Sequence, residues 1–430
     1  MKRIRFTGAE RAWVLYDVGN SAYVLAVTTA IFPLFFKNVV AADLPGATST
    51  AWLAYASSVF TLVVAVLALV LGPLADYQGR KKRFFSVFFG LGVLATGVLA
   101  VATEGQALVT LAVYVLSSIG FAGANVFYDS FLTDVTPPER MDRLSSAGYA
   151  WGYVGSTVPF IVAMAVVMAG PRFDLLSTVT AVRIAFLIAA AWWVVFTVPL
   201  LRRVRQTQFI PPVDSAVRDS LRRLGALVRE RHRYRTVFVF LIAYFFYIDG
   251  VGTVIKLATA YGTDIGMSAN TLLVVLLVVQ FVAFPCALIY SRLARGKSSS
   301  VRTMLLIGIG VYLLVTLLAF VIPRLPAALQ VPTFWVTSML VASSQGGIQA
   351  LSRSYYGQLI PATASAEFFG FYNMCGKFAA ILGPLLVGVF AQLTGDSSIG
   401  VLSIALLFLV GGLILVRVPR HPVPVTAPAG

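Results

Sequence analysis

Charge is scarce in this chain. Only 12% of its 430 residues are Asp, Glu, Lys or Arg, against 59% hydrophobic, where soluble domains carry about 25% charged residues. There is too little polar surface to cover a water-soluble body of this size. Cysteine is nearly absent: Cys286 and Cys375 both fall inside apolar runs and give neither a disulfide framework nor a zinc spacing. The two histidines, His232 and His421, have no metal partners nearby in sequence. No G-x-S-x-G, H-E-x-x-H or P-loop stretch occurs. The sequence therefore predicts no enzyme, no metal and no cofactor, and energy for any work must come from a solute or ion gradient. Short alternating segments of a barrel are missing. So is a small-residue cleavage site after a short apolar core, which makes the first apolar run a retained span.

What is present is a series of apolar runs of about 20 residues, the length of a helical span. Twelve helices are predicted at 12–36, 51–75, 84–102, 107–132, 145–169, 180–201, 236–262, 268–293, 303–322, 332–357, 367–393 and 398–417. Gly, Pro and charge clusters such as "NVVAADLPGATS" and "VIPRLPAALQVP" separate them. The formal charge is +16, yet no basic–aromatic pattern of a nucleic-acid module accompanies it. With the N-terminus inside, about 27 of the 33 basic residues lie in inside segments, which predicts both termini cytoplasmic.

The domains follow. Residues 1–11 are a cytoplasmic segment, 12–201 a six-helix bundle, 202–235 a basic linker, 236–417 a second six-helix bundle and 418–430 a disordered tail. In the linker Val217, Leu221, Leu224 and Val228 recur at helical spacing among arginines. One reading is an amphipathic helix on anionic inner-leaflet lipids; the other is a solvated connector. The halves echo one another: "DSFLTDVTPPER" against "SRSYYGQLIPAT", and "GYAWGYVGSTVP" against "GFYNMCGKFAAILGP". A parallel repeat of this kind is a transporter architecture with its site near midplane.

The loop "GPLADYQGRKK", Gly72 to Lys82, resembles the G-x-x-x-D-x-x-G-R-[KR] signature of the major facilitator superfamily. The stretches "WVLYDVGNSAY", "FYDSFLTDVTPPER", "SQGGIQALSRSYYGQLIP" and "EFFGFYNMCGKFAAILGP" look like its autophagy-related, vacuole-effluxer-like family, as a bacterial-type member. The resemblance implies an all-α integral membrane protein, twelve transmembrane helices in two pseudo-symmetric bundles. It also implies gating residues in the signature, Gly72, Asp76, Gly79 and Arg80, with Asp76 holding the helix 11 N-terminus or an arginine such as Arg140. A monomer in a plasma (inner) membrane is expected.

Polar residues inside spans cost about 2.5–3.5 kcal/mol each when ionisable, so each raises a functional question. Asp17, Asn20 and Ser21 share one face of helix 1, and either line a wetted pathway or bond a neighbouring helix. Asn125 and Asp129 sit one turn apart in helix 4. Asp249, with Tyr247 before it, lies near the middle of helix 7; it couples protons or binds substrate, or else it pairs with Lys256 or Lys377. Gln345 and Gln349 are an i, i+4 pair on helix 10, read as an amide clamp or as helix packing, and Arg353 ends that face. Tyr372, Asn373 and Lys377 lie on helix 11. Asp129 and Arg353 occupy equivalent places in the repeat and form a gate, or pair separately, Asp129 with Arg140 or Arg143 and Arg353 with Glu367.

The function expected is secondary active transport of a small polar solute by alternating access, with protons a candidate coupling ion. Acids in both halves and ammonium groups only in the second suit a zwitterion, an amino acid first. The alternative is an exporter of an amphiphilic or anionic substrate such as a drug or lysolipid. A membrane scaffold or sensor is a remote third.

Overall fold

A computed structural model describes residues 5–44, 46–103, 105–173, 175–211, 219–220, 222, 232–264, 266–294 and 298–419. The expected linker helix and the residues 420–430 of the tail fall largely or wholly outside this set. The described residues form twelve long helices. Helix α1 is Gly8–Ala22, continued by a π-helical stretch Tyr23–Ile31, a short α segment Phe32–Phe35 and a second π stretch Phe36–Val40. Then come α2 Gly46–Ala75, α3 Arg80–Val98, α4 Ala107–Ser130, α5 Pro138–Arg172 and α6 Thr178–Arg203. The second half gives α7 Arg235–Asp264, α8 Ala269–Ala294, α9 Ser298–Val321, α10 Ala327–Leu359, α11 Ser365–Thr394 and α12 Ser397–Val416.

Every predicted span corresponds to one of these, but several starts move outward. Helix α1 begins at Gly8 because Thr7 and Glu10 close a capping box: Glu10 N donates to Thr7 Oγ1 at 3.1 Å and Thr7 N to Glu10 Oε2 at 2.7 Å. Helix α5 begins at Pro138, two turns before the expected 145, with Glu139 in its first turn. Proline at the first helical position loses no bond, so the polar "ERMDR" stretch extends the helix. Helix α10 starts at Ala327 and takes Pro332 within its opening turns.

Among the described residues ten helices, α2 to α9, α11 and α12, are long and apolar enough to cross a membrane. Helix α1 is broken into short α and π segments, and α10 carries Gln345, Gln349, Arg353 and a series of serines. The two exceptions are thus the helices richest in polar side chains or irregular backbone. Large apolar side chains such as Leu94, Leu108, Leu393 and Leu413 face outward unburied, as a lipid solvent requires.

The chain divides into two compact units. The first is 1–136, 151–221 and 362–370; the second is 137–150, 222–361 and 371–430. Neither is a simple sequence half: the opening turns of α5 belong with the second unit and those of α11 with the first. In the first unit α1 packs on α6, and α4 on α2 and α3. Helices α3 and α4 touch backbone to backbone, since a Cβ on Gly120 would overlap the main chain of Gly92, the small-residue packing common in membranes. In the second unit α7 packs on α12, α8 on α10, and α9 on both α10 and α12.

Candidate functional site

In the first unit, the α1 turn Asp17–Ser21 meets α4 through two amides. Asn20 Nδ2 donates to Asn125 Oδ1 at 3.0 Å and, more weakly, to Asp17 Oδ1 at 3.5 Å. Ser21 Oγ lies 3.4 Å from Asn20 Oδ1. Trp13 fixes the register one turn earlier, stacking on Tyr128 with centroids 4.6 Å apart and donating Nε1 to Tyr128 O at 3.0 Å. Helix α5 closes against the same turn, because a Cβ on Gly152 would fall 2.8 Å from Ser21 Oγ. Asp17, Asn20 and Asp129 are buried. The Tyr16 ring is buried beside Trp193, Asn20, Asp17 and Asp129. Trp193 is buried with it. The structure thus brings Asp17, Asn20, Ser21, Asn125 and Asp129 to one neighbourhood, and adds Tyr16 and Trp193, which sequence reading missed.

In the second unit, Asp249 makes a contact that sequence reading did not foresee. Its Oδ2 accepts the main-chain N–H of Gly383 at 2.7 Å and its Oδ1 accepts from Thr253 Oγ1 at 3.3 Å. Gly383 lies inside α11, where a Cβ would overlap Thr253 Oγ1. Asp249 is therefore a tie between α7 and α11. Lys256 is exposed and Lys377 half-buried. Tyr244, Tyr372 and Tyr356 form a continuous stack, with centroids 4.3 Å and 5.0 Å apart. Tyr247 shares a 2.7 Å hydrogen bond with Ser352. Gln349 Nε2 donates to the Gln345 carbonyl oxygen at 3.1 Å, so here one amide side chain is turned to its own helix. Asn373 is half-buried, one residue beyond the stacked Tyr372.

The signature turn is built around the start of α11. Asp76 Oδ1 accepts from Ala366 N and Oδ2 from Glu367 N, each at 2.8 Å. A carboxylate on the free N–H groups of a helix start is favoured by both hydrogen bonding and the helix dipole. Of the two partners expected for Asp76, the α11 N-terminus is the one these bonds supply. Gly72 permits the approach, since a Cβ there would sit 2.8 Å from Ala366 O, and Gly79 turns the chain with φ +76°. Arg80 lies over the Tyr77 ring at 5.4 Å. Lys81, fully buried, donates to Asp134 Oδ2 at 2.7 Å and to Ser365 Oγ at 2.8 Å. Burial pushes the Asp76 carboxyl up to about 7, against the pull of Lys81 and of the two N–H groups.

A second set of ties joins the start of α5 to the end of α10. Arg353 Nε donates to Ser145 Oγ at 2.9 Å and a terminal nitrogen donates to Ser145 O at 3.2 Å. The guanidinium lies over the Tyr149 ring at 4.5 Å. Asp142 Oδ1 accepts from Ser354 Oγ at 2.6 Å and Gln358 Nε2 at 2.9 Å. Asp142, Ser145 and Ser354 are buried. Arg140 is half-buried in the first turn of α5. Arg353 falls in the second unit and Asp129 in the first.

Among the described residues the polar groups gather at helix faces and helix ends. The family described as vacuole effluxer Atg22 like matches residues 46–422. The chain belongs to that family. An uncharacterised MFS-type transporter, YxiO, of Bacillus subtilis (strain 168) is 47% identical over 419 residues, covering 97% of this chain and 96% of the relative. Autophagy-related protein 22 of Coccidioides immitis (strain RS) is 23% identical over 85% of this chain and 72% of its own length. A solved major facilitator superfamily proton:xylose symporter, XylE, matches with a TM-score of 0.68 at 12% identity, over 97% of this chain and 96% of that one. At that identity the likeness concerns the fold, which is the all-helical major facilitator fold. This Atg22-like protein is accordingly an integral multi-pass membrane transporter and not an enzyme.

Proposed function

We propose that this Atg22-like protein is a secondary active transporter that moves a small polar zwitterion, an amino acid or a close relative, by alternating access. The observation that carries this reading is the α1–α4 neighbourhood. Two carboxylates and two amides, Asp17, Asp129, Asn20 and Asn125, cluster between α1 and α4, with the buried Tyr16 and Trp193 beside them. Buried polar groups of this kind are retained where a ligand or ion uses them. An ammonium group of the solute suits this acidic set. All twelve helices cross the membrane in this reading, with both termini cytoplasmic, and a proton is the coupling ion carried by Asp249 or by the α1–α4 carboxylates. The Asp76–α11 and Asp142/Arg353–α10 ties hold the cytoplasmic ends of their helices together.

Purified protein screened by thermal shift against amino acids, peptides, lipids and organic anions tests the substrate class. A binder raises the melting temperature by mass action. Stabilisation by amino acids, lost in Asp17→Asn, supports the reading; stabilisation by lysolipids or organic anions alone replaces it with amphiphile export. Uptake into proteoliposomes with and without a pH gradient then decides coupling.

A further inference from the structure

Residues 204–211, the part of the linker that follows α6, are bonded along most of their length. Ile210 N donates to Asp76 O at 2.9 Å, and Gln78 N donates to Ile210 O at 3.2 Å. Tyr77 and Ile210 form an isolated parallel bridge. Gln206 Nε2 donates to the carbonyl oxygens of Ala75 and Asp76, each at 3.2 Å, while its Oε1 accepts from Lys81 N at 3.3 Å. Lys82 Nζ donates to Val204 O at 2.9 Å. Thr207 N and Gln208 N both donate to Asp134 Oδ1 at 2.7 Å, and Thr207 Oγ1 donates to Asp134 O at 3.1 Å. Further on, Tyr77 Oη donates to Asp219 Oδ2 at 2.6 Å.

A segment needed only to connect two bundles would be solvated. This one supplies what the signature turn lacks: acceptors for the N–H groups of Gln78 and Lys81, and donors for the carbonyls that end α2. It also completes the Asp134 carboxylate. One oxygen takes two main-chain N–H bonds from the segment, and the other takes Lys81 Nζ. Lys81 in turn holds Ser365, the first residue of α11, beside the Ala366 and Glu367 N–H groups held by Asp76. Both side chains of the Lys81–Asp134 pair are fully buried. Its geometry therefore depends on the remaining hydrogen bonds of each partner.

We propose that residues 204–211 are a positioning strap, in which Gln206 and Thr207 hold Asp76, Lys81 and Asp134 in the geometry that clamps the start of α11. Gln206 and Thr207 touch no solute; they act through the clamp. The proposal rests on the reading of Asp76 as a clamp on α11. It makes the linker, which also carries the arginine-rich stretch, a control point for release of that helix.

Hydrogen–deuterium exchange of the full-length protein in lipid nanodiscs reads the clamp directly, because the Ala366 and Glu367 amides are its donors. The peptide 362–370 is followed in wild type, Asp76→Asn, Gln206→Ala and Thr207→Val, with a peptide from α9 as the control for global loosening. Gln206→Ala should speed exchange of 362–370 at least about fivefold, the lower end of usual coupling strengths, with the α9 peptide unchanged. Thr207→Val, which keeps the main-chain bonds and removes only the hydroxyl, should act in the same direction and less. If Asp76→Asn speeds the peptide and neither strap variant does, the strap is overturned while the clamp stands. If Asp76→Asn leaves the peptide unchanged, the clamp reading itself is wrong and the strap proposal goes with it. Equal acceleration of the 362–370 and α9 peptides in both strap variants would reduce the segment to general stability and also overturn the proposal.

Discussion

The Asp249 carboxylate on α7 accepts the main-chain N–H of Gly383 from the interior of α11 at 2.7 Å. Two variants perturb this contact in different ways. Asp249→Asn removes the titratable group and leaves an acceptor oxygen. Gly383→Ala keeps the titratable group and forces a methyl against Thr253 and the Asp249 Oδ1, at a cost of about 1–3 kcal/mol for overpacking. If Asp249 carries the coupling proton, Asp249→Asn abolishes gradient-driven accumulation in proteoliposomes but keeps substrate binding. Gly383→Ala then lowers the melting temperature while accumulation persists. Loss of binding in both variants to the same degree would make Asp249 a packing residue.

The Asp76 carboxyl is raised by burial to about 7, from an unfolded value of 3.8. A carboxyl raised in this way binds its proton more tightly in the folded protein. Its contribution is fully present below about pH 4 and is lost as pH rises toward 7. Asp76→Asn has no such titration. The melting temperature of the variant minus that of wild type should therefore increase from pH 5 to pH 8. A difference that is flat with pH, or that falls, would show the carboxyl to be charged throughout.

Asp142 ties α5 to α10 by accepting from Ser354 and Gln358. Asp142→Ala removes the acceptor these two donors share; Ser354 Oγ keeps the Leu351 carbonyl oxygen at 3.2 Å and Gln358 is half-buried, so a cost of about 1 kcal/mol is expected. In a background lacking Cys286 and Cys375, a cysteine at Leu351, fully buried on α10, should react with a thiol reagent slowly in the parent and faster once Asp142 is Ala. An unchanged rate would mean that this tie does not limit access to α10.

Gly120→Ala should be among the most damaging single methyl additions in the chain. Its Cβ would overlap the Gly92 backbone, and two helix backbones in contact cannot yield as a flexible side chain can. A loss of about 1–3 kcal/mol is expected, read as a lower melting temperature or poor recovery in detergent. Gly90→Ala, which meets nothing within 4 Å, is the neutral control on the facing helix α3.

The apolar runs and the signature loop made the twelve helices and the place of Asp76 legible in the sequence, because both are local patterns. Its α11 partner could be anticipated because a carboxylate and a helix start are chemically complementary. The Gly383 partner of Asp249 could not be read. A main-chain N–H inside a helix has no side-chain signature, and the two residues are 134 positions apart. Asp134, Gln206 and Thr207 were missed for a related reason: polar residues near a helix end or in a connector read as solvated until the bonds between them are seen. Asp142 was lost in a predicted loop that is in fact the opening of α5. Of the partners expected for Asp249, Lys256 lies close enough to act on it electrostatically, while its hydrogen bonds go to a glycine and a threonine.

The reciprocal grouping of 137–150 and 362–370 has a consequence for how the chain is made. The first unit is not complete when Leu221 leaves the ribosome, because it still lacks the segment ending at Gly370. Asp76 and its Ala366 partner are separated by 290 positions. The nascent N-terminal helices must therefore wait in the bilayer, their signature turn without its docking partner, until most of the second half has been synthesised. A ribosome stalled before residue 362 should hold an N-terminal half that is inserted but not latched, and split halves expressed together should mature only when both are present.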